Sequence, residues 1–365
     1  MRRSPIRSLL LKRGARFYER NGLEMVKHYT TFEEEYAAVR EGVGLTDFSF
    51  TNRFIVNEEG LDLFDYYAAG SVANIRFGRI LHTMALNDDG ELTAELYIAN
   101  DDEQILLIGE SLVSDDEVEA AIGQGEETAA LRNASEDTVL LGLDGFNAWA
   151  VVKALFGPDV LGLPYMSIET YDLDEMSVKV LRAGKTSEFG YMLLADAKHG
   201  EALYKAIEAA GDAFGLKPVG FDTHMALRLD GRFFNIHEEG AAVKDPLPLG
   251  LQWMIDLEGD DFRGKAPLFA RREKGLSKKV VGVVSESMEA PLSIGDTIRH
   301  NETDIATVIT VRPSPTLQAR IALALFDLEY AYAGLDFTCK NGTKVTTVSM
   351  PPFTAKSLTI RLDEM

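Results

Sequence analysis

The histidines are the first residues to test for chemistry, because an imidazole can bind a metal or transfer a proton near neutral pH. The sequence has six, and His237 begins the segment His-Glu-Glu-Gly, which resembles the start of a zinc-binding helix. Such a helix needs a second histidine four residues after the first, and that position holds Ala241. The remaining histidines show no metal-ligand spacing; they are His28, His82, His199, His224 and His300. We therefore predict no metal site.

Other short catalytic motifs are absent from the sequence. It contains no GxxxxGK(S/T) phosphate loop, no GxGxxG after a strand pattern and no GxSxG nucleophile turn. Cys339 is the only cysteine, which excludes an internal disulfide framework and cysteine-rich metal sites. This cysteine content is typical of a reducing compartment, so we predict a cytoplasmic protein.

Composition limits the partners. A net charge of −21 and a pI near 4.7 argue against nucleic acid, which is bound by clustered Lys and Arg. No apolar run approaches the ~20 residues that span a bilayer, and the N-terminus has no signal-peptide pattern. A small-molecule substrate remains, and the sequence leaves the oligomeric state open. An anionic ligand would need local basic residues, for which Lys185, Arg228, Lys244 and segment 2–20 are the candidates.

The sequence pattern mixes helices and strands. Thr31 and Glu34 form a capping-box pattern that predicts a helix to about residue 41. Three strand patterns at 80–86, 91–99 and 104–109 are separated by polar turns at 87–90 and 100–103, which predicts a meander. Further helices are predicted at 61–69, 115–122, 147–156, 200–213 and 222–229, and a strand at 51–56.

After residue 249 the pattern changes to strands, which we predict to form a separate small β-barrel. These strands are predicted at 279–285, 297–299, 306–311, 319–326 and 337–348. Asn341-Gly342 within the last of them predicts a two-residue hairpin turn, because this dipeptide accepts the positive φ angles of such turns.

Several segments, in a fixed order along the chain, carry a family resemblance. They are His28-Tyr29, AVR at 38–40, GLTDFS at 44–49, LRLD at 227–230, DPL at 245–247, Trp253 and DFRGKAPL at 261–268. Together they resemble the aminomethyltransferase family, which includes the T-protein of glycine cleavage and tetrahydrofolate-dependent demethylases. The opening Arg2-Arg3-Ser4-Pro5 resembles the dimethylsulfoniopropionate demethylase branch of that family.

The resemblance implies an α+β fold of three domains in a cloverleaf around a central opening that admits tetrahydrofolate. The first domain would be discontinuous, over residues 1–55 and 140–249. The second would be an inserted α+β domain over 56–139, and the third a C-terminal β-barrel domain over 250–365.

The same resemblance implies folate contacts that this sequence replaces. The five positions concerned are Ala94, Gly109, Lys185, Met192 and His224. A lost charge-assisted pair costs roughly 2–5 kcal/mol when its partner stays buried. The family's way of holding folate therefore cannot be carried over unchanged, and shifted groups would have to replace the lost ones.

Our first interpretation is a methyl or aminomethyl transferase, favouring tetrahydrofolate-dependent demethylation of a small methylated substrate. The predicted catalytic residues are Glu95, His82 and His237. The predicted cofactor-binding residues are Lys185, Glu188, Tyr191, His224, Arg228 and Trp253. The predicted substrate-binding residues are Tyr29 and Glu238.

Two alternatives stay open. The cavity could serve a non-folate ligand through Lys185, His224, His237 and Glu238, or the protein could bind folate without catalysis. Structural roles also compete with functional ones at several candidates. Met192 would pack in a core, Glu95 and Glu188 would be solvated, Arg228 would pair with Asp230, and Trp253 would pack at a domain joint.

Overall fold

The structure is a computed structural model that describes residues 2–20, 22–57, 60–101, 104–123 and 131–360. The helices of the described residues are α1 (Arg7–Lys12), α2 (Phe32–Glu41), α3 (Leu61–Tyr67), α4 (Asp115–Ile122), α5 (Ala148–Phe156), α6 (Gly200–Gly211), α7 (Phe221–Asp230) and α8 (Lys265–Lys274). No described helix is both long and apolar enough to cross a membrane.

The first sheet has the strand order β10-β11-β12-β9-β3-β13. Its strands are β3 (Val43–Asp47), β9 (Thr138–Asp144), β10 (Ile168–Leu173), β11 (Met176–Leu181), β12 (Gly190–Asp196) and β13 (Leu216–Pro218). Strand β9 is buried throughout, as expected for an apolar run with both faces covered. Leu141 and Leu143 pack in the core that contains residues of α5 and α6. Leu140 and Met192 face the opposite way, toward the second sheet.

The second sheet has the order β5-β6-β7-β4-β8. Its strands are β4 (Asn52–Asn57), β5 (Ile80–Leu86), β6 (Leu92–Asp101), β7 (Gln104–Ser111) and β8 (Arg132–Asn133). One face packs on α3 and α4 through Phe54, Phe64, Ile98 and Val118. The other face turns Tyr97 and Ile108 toward Leu140 and Met192 of the first sheet. The two sheets therefore enclose the centre of the molecule between them.

The third unit is a closed barrel with the order β14-β17-β16-β15-β18-β19. Its strands are β14 (Lys278–Ser285), β15 (Thr297–His300), β16 (Thr303–Ser314), β17 (Ala319–Asp327), β18 (Asp336–Cys339) and β19 (Lys344–Val348). Alternating side chains such as Val283, Ile298 and Phe326 fill its interior. The strands β1 (Arg16–Arg20) and β2 (Leu23–His28) pair only with each other and form a separate two-stranded ribbon.

Most predicted elements are present within a few residues of their predicted ends. Thr31 accepts a hydrogen bond from the backbone N–H of Glu34, which caps α2 as its sequence pattern indicates. The predicted turn at 100–103 includes residues 102 and 103, which lie outside the described residues. Sequence reasoning missed the β1–β2 ribbon and most strands of the first sheet, namely β3, β9, β10, β11 and β13. It also missed α8 in a region expected to hold strands.

The predicted two-residue hairpin turn is wrong. The N–H of Cys339 donates to the carbonyl of Thr343, so Lys340, Asn341 and Gly342 make a three-residue loop. Only Gly342 has a positive φ, of 88°, whereas the two-residue turn favoured by Asn-Gly needs positive φ at both central residues. The glycine ends a wider turn, and the strand register shifts accordingly.

Candidate active site

Two acidic side chains meet directly across neighbouring strands of the second sheet. Glu95 of β6 and Glu110 of β7 are register partners, and both are buried. Like charges placed opposite each other repel unless cations lie between them. Lys185, from the loop between β11 and β12, and Arg228, from α7, supply those cations.

The four groups form a connected network that we call the charged cluster (Glu95, Glu110, Lys185 and Arg228). The Nζ of Lys185 lies 2.8 Å from Oε1 of Glu95 and 3.0 Å from Oε1 of Glu110. Both terminal nitrogens of Arg228 donate to Glu110, one of them at 2.9 Å. Nζ of Lys185 also lies 4.9 Å from the centre of the Tyr97 ring, close enough for a cation–π contact.

Electrostatics keep these carboxyl groups ionised. Burial alone would raise the pKa of Glu95, but Lys185 and Arg228 outweigh it and hold that pKa below its ordinary value. The pKa of Glu110 lies well below normal because Arg228 and Lys185 again outweigh the effect of burial. Two negative and two positive charges cancel inside the cluster, as a buried ionic group requires. The carboxylates are therefore electrostatic anchors, not proton donors.

His82 and Glu95, two predicted catalytic residues, lie together. Nε2 of His82 is 2.8 Å from Oε1 of Glu95. Burial lowers the pKa of His82 despite the opposing effect of Glu95, so the imidazole is neutral near pH 7. Since an ionised carboxylate can only accept, Nε2 carries the proton and Nδ1 has a free lone pair. The His82 ring contacts Tyr97 on one side and the exposed Trp253 on another.

His237, the third predicted catalytic residue, lies on the opposite side of Glu110. It belongs to a π-helical turn, Ile236–Gly240. Its Nε2 is 3.5 Å from Oε2 of Glu110, and neither ring nitrogen makes a hydrogen bond with the described residues. Burial lowers the pKa of His237 to about 4, so this ring too is neutral.

The space beside the charged cluster is small. A cavity lined by Glu95, Tyr97, Glu110, Lys185 and Met192 has a volume of about 10 Å³. That is roughly the room needed by one water molecule, whereas pockets for drug-sized ligands usually measure about 300–1,000 Å³. The space between the two sheets at the charged cluster is therefore too small for a ligand of the size of folate.

The residues present do not fit the pterin ring of tetrahydrofolate at this position. A pterin offers neighbouring N–H groups, which need a free carboxylate. Arg228 and Lys185 bind both carboxylate oxygens of Glu110. Of the four carboxylate oxygens in the charged cluster, only Oε2 of Glu95 has no hydrogen bond to the described residues. Met192 adds an apolar wall, so neither volume nor donor set matches the ring.

Some candidates lie near the cluster without joining it. His224 is buried with Nε2 3.6 Å from Oδ2 of Asp144, and burial lowers its pKa. Glu188 binds Arg40 at 3.0 Å and the hydroxyl of Ser357 at 2.6 Å. Its side chain is 1% exposed, so the expectation that it is solvated is wrong.

Other candidates face away from the cluster. Tyr191 and Tyr29 both pack with the core on the far side of the first sheet. Glu238 accepts hydrogen bonds from Arg312 and Thr310 and so ties the π-helical turn to the barrel. Trp253 is 66% exposed, which contradicts a role in packing the domain joint.

Two other structural expectations are wrong. Arg228 pairs with Glu110 and not with Asp230, whose carboxylate instead binds Tyr36 and Arg40. Glu95 does not point outward, because its strand has both faces covered. Alternation of polar and apolar residues along a strand shows that the strand has two different faces. It does not show whether the polar face meets water or a second sheet.

Sequence reasoning missed Glu110 and Tyr97. The signal for Glu110 was present in the meander. Once Asp101 is paired with Gln104 at the turn, counting back along both strands places Glu95 opposite Glu110. An acidic pair in register inside an apolar meander predicts a buried cation, and only the fold could show that Lys185 and Arg228 supply it.

The neutral histidines predict a loss of stability in mild acid. Unfolded His237 takes up a proton near pH 6.5, whereas the folded group does so only near 4. Its contribution is complete above pH 6.5 and declines as the pH falls toward 4, by about 2 kcal/mol between pH 7.5 and pH 5. Urea unfolding at these two pH values measures the loss, which His82 and His224 increase because their pKa values are also lowered.

A His237→Gln variant should lose less stability between the two pH values, because Gln cannot take up the proton. His300→Gln, at an exposed barrel position, is the matched control and should behave as the wild type. An unchanged slope in the His237 variant would show that this ring is not the group responsible.

Comparison with known proteins identifies the family to which the chain is similar. The family model described as the GCVT N-terminal domain matches residues 6–259. The aminomethyltransferase of Halothermothrix orenii is 28% identical over 341 residues, covering 93% of this chain and 95% of its own. The aminomethyltransferase of Bacillus velezensis is 28% identical over 341 residues, covering 92% and 93%.

A solved structure confirms the fold. The glycine cleavage system aminomethyltransferase T from Bartonella henselae superposes with a TM-score of 0.82 at 21% sequence identity. The match covers 96% of this chain and 98% of that one. The chain therefore belongs to the aminomethyltransferase family, a family of one-carbon transferases, and has its α+β fold with a closed barrel. Within the described residues, no group of three or more His, Cys, Asp or Glu side chains is arranged to hold a metal ion.

Proposed function

We propose that this protein transfers a one-carbon group from a small methylated donor to a small nucleophile, with His82 as general base. Family membership supports the one-carbon chemistry. The observation that carries the assignment of His82 is its 2.8 Å contact with Glu95, which fixes the tautomer and leaves Nδ1 to accept a proton. A base oriented by a carboxylate recurs in many active sites.

The reaction is a displacement at carbon. The nucleophile attacks the methyl carbon of the donor, the bond from that carbon to its leaving group breaks, and the leaving group takes the electron pair. The N–H or S–H proton of the nucleophile passes to Nδ1 of His82. The ring is neutral near pH 7 because burial lowers its pKa, so it can accept that proton.

The protonation states favour one class of donor. A methyl ether needs an acid to protonate its leaving oxygen, but His82 is neutral and Glu95 and Glu110 are ionised. A sulfonium needs no acid, because its leaving group departs as a neutral sulfide. We therefore propose a methylated sulfonium as the donor, and positioning then supplies most of the catalysis.

Tetrahydrofolate is the acceptor that family membership favours, but the cavity of about 10 Å³ beside the charged cluster does not fit it. We assign no step to it and propose a smaller nucleophile. The second candidate is a binding protein without catalysis, favoured by the way Lys185 and Arg228 already satisfy most carboxylate oxygens of the charged cluster.

The test is a methyl-transfer assay. Methyl-labelled dimethylsulfoniopropionate is incubated with the protein and 2-mercaptoethanol, with and without tetrahydrofolate, and products are followed by NMR. The proposal expects a methyl thioether from the thiol, at a rate that folate does not change. No product under either condition favours the binding protein, and product only with folate overturns the smaller acceptor.

A further inference from the structure

A second cavity opens on the outer side of the loop that carries Lys185. We call it the outer pocket (Tyr165, Arg182, Ser187, Phe189, Phe233 and Leu358), and its volume is about 390 Å³. This volume lies within the roughly 300–1,000 Å³ range of small-molecule sites. The pocket combines aromatic walls with an arginine whose guanidinium has free donors.

The walls of the outer pocket are aromatic and open. Phe189 and Phe233 line it, and Tyr165 and Leu358 stand at its rim, 54% and 68% exposed. Large apolar side chains left exposed around a concave surface mark a binding site more often than a bare surface. Rings of this kind bind a flat ligand by stacking or edge contacts.

Close packing of two glycines shapes the inner edge of the pocket. Gly184 and Gly190 lie back to back, so a Cβ on Gly184 would come within 2.7 Å of Cα of Gly190. A Cβ at either position would also crowd Oδ1 of Asp144, so only glycine fits there without moving the backbone.

Three residues with left-handed backbone lie around the same pocket. Three non-glycine residues there have left-handed φ angles: Met166 at 57°, Ser187 at 67° and Arg232 at 58°. Met166 and Arg232 adjoin Tyr165 and Phe233 in the chain, and Ser187 lines the pocket itself. Left-handed backbone at residues of these types is uncommon, and here it sets the directions in which the pocket walls leave their helix and loops.

The other left-handed non-glycine residues of the described chain have an ordinary explanation. Asp174, Asn301 and Gln318 each lie in a short connection between paired strands, where hairpin geometry demands a positive φ. Two of the three residues at the outer pocket have ordinary explanations as well. Ser187 lies in the loop that joins the paired strands β11 and β12. Arg232 follows the C-terminus of α7, where the N–H of Phe233 donates to the carbonyl of Arg228, as in a left-handed helix cap.

The positive charge of Arg182 favours a flat ligand that carries a negative charge. One terminal nitrogen of Arg182 donates to the carbonyl of Leu163 at 2.6 Å, and its other N–H groups make no hydrogen bond to the described residues. Glu188, the carboxylate at this pocket, is engaged by Arg40 and Ser357. A guanidinium with free donors pairs well with a carboxylate.

We infer that the outer pocket binds a flat aromatic carboxylate, with its ring against Tyr165 and Phe233 and its carboxylate on Arg182. The inference concerns binding and does not depend on the proposed transfer reaction. A failed binding test would not change the expected result of the methyl-transfer assay. A failed methyl-transfer assay would likewise not change the expected binding.

The test uses calorimetric titration of the full chain with 2-naphthoate and its neutral counterpart 2-naphthamide. Wild type should bind naphthoate with a Kd below about 1 mM. Arg182→Gln should raise that Kd at least about tenfold and leave naphthamide within about threefold. Phe233→Ala should weaken both ligands, and thermal unfolding checks that each variant is folded.

Arg299→Gln removes a half-buried arginine of the barrel, which pairs with Asp304, and is the matched control for charge. It should bind naphthoate as the wild type does. The inference is overturned if naphthoate shows no saturable binding up to about 5 mM, or if Arg182→Gln and Arg299→Gln bind it equally well.

Discussion

Glu110→Gln should lower the free energy of unfolding by roughly 3–5 kcal/mol, the largest stability change that we expect from one substitution. The change keeps the shape of the side chain and removes its charge. Arg228 and Lys185 then share Glu95 as their remaining carboxylate in the cluster, at distances from it of 3.6 Å and 2.8 Å. Because domains are typically stable by about 5–15 kcal/mol, the variant should be marginally folded. Urea unfolding at pH 7.5 measures the change.

Two controls separate charge pairing from packing. Glu208→Gln removes the partner of Arg13 from a two-pronged pair at the surface, and should leave the free energy of unfolding nearly unchanged because water screens the pair. Glu110→Gln combined with Arg228→Met removes one charge of each sign and leaves Lys185 paired with Glu95. The double variant should recover most of the lost stability, whereas a simple sum of the two single changes would show that the groups do not interact.

His82→Gln should lower kcat/KM for methyl transfer by about 10²–10⁴-fold, the range expected when a general base is lost. The side-chain amide of glutamine can still donate a hydrogen bond to Glu95, so this carboxylate keeps the donor that His82 supplies. Its amide cannot take a proton from the nucleophile. Thermal unfolding should stay near that of the wild type, and the activity loss would then report chemistry and not misfolding.

The pH profile gives the His82 assignment a second readout. A base works in its neutral form, and burial lowers the pKa of His82, so wild-type activity should persist below pH 6.5 and fall only at lower pH. The variant should show no such acid limb. His300→Gln is the matched control and should keep both rate and profile. A variant at His82 with wild-type activity would remove this residue from the mechanism.

Much of the fold follows from local sequence patterns. The meander and α2 were predicted because each combines a strong periodicity with recognisable turn or cap residues. The ribbon of β1 and β2 has mixed burial and no clear alternation, so its pairing is set by contacts that a local pattern does not contain. Helix α8 was missed because only Leu268 is fully buried on it, which leaves little apolar periodicity.

The candidate site was predictable in part. Glu95, His82, Lys185 and Arg228 were each named from the sequence, but their meeting at one point depends on two sheets and a helix brought together over long separations. Residue type also does not reveal charge state. The four groups could have formed an open site for a ligand, and it is their mutual pairing in the fold that closes the chamber.

The side chains of the charged cluster leave a cavity of about 10 Å³, too small for a pterin ring. Calorimetric titration of the wild-type protein with tetrahydrofolate and with 5-methyltetrahydrofolate shows whether either form binds. The closed chamber predicts no saturable binding of either form tighter than about 1 mM. Saturable binding with a Kd of about 10 µM or lower would contradict it, because a pterin held that tightly has to displace Lys185 and Arg228 from their carboxylates.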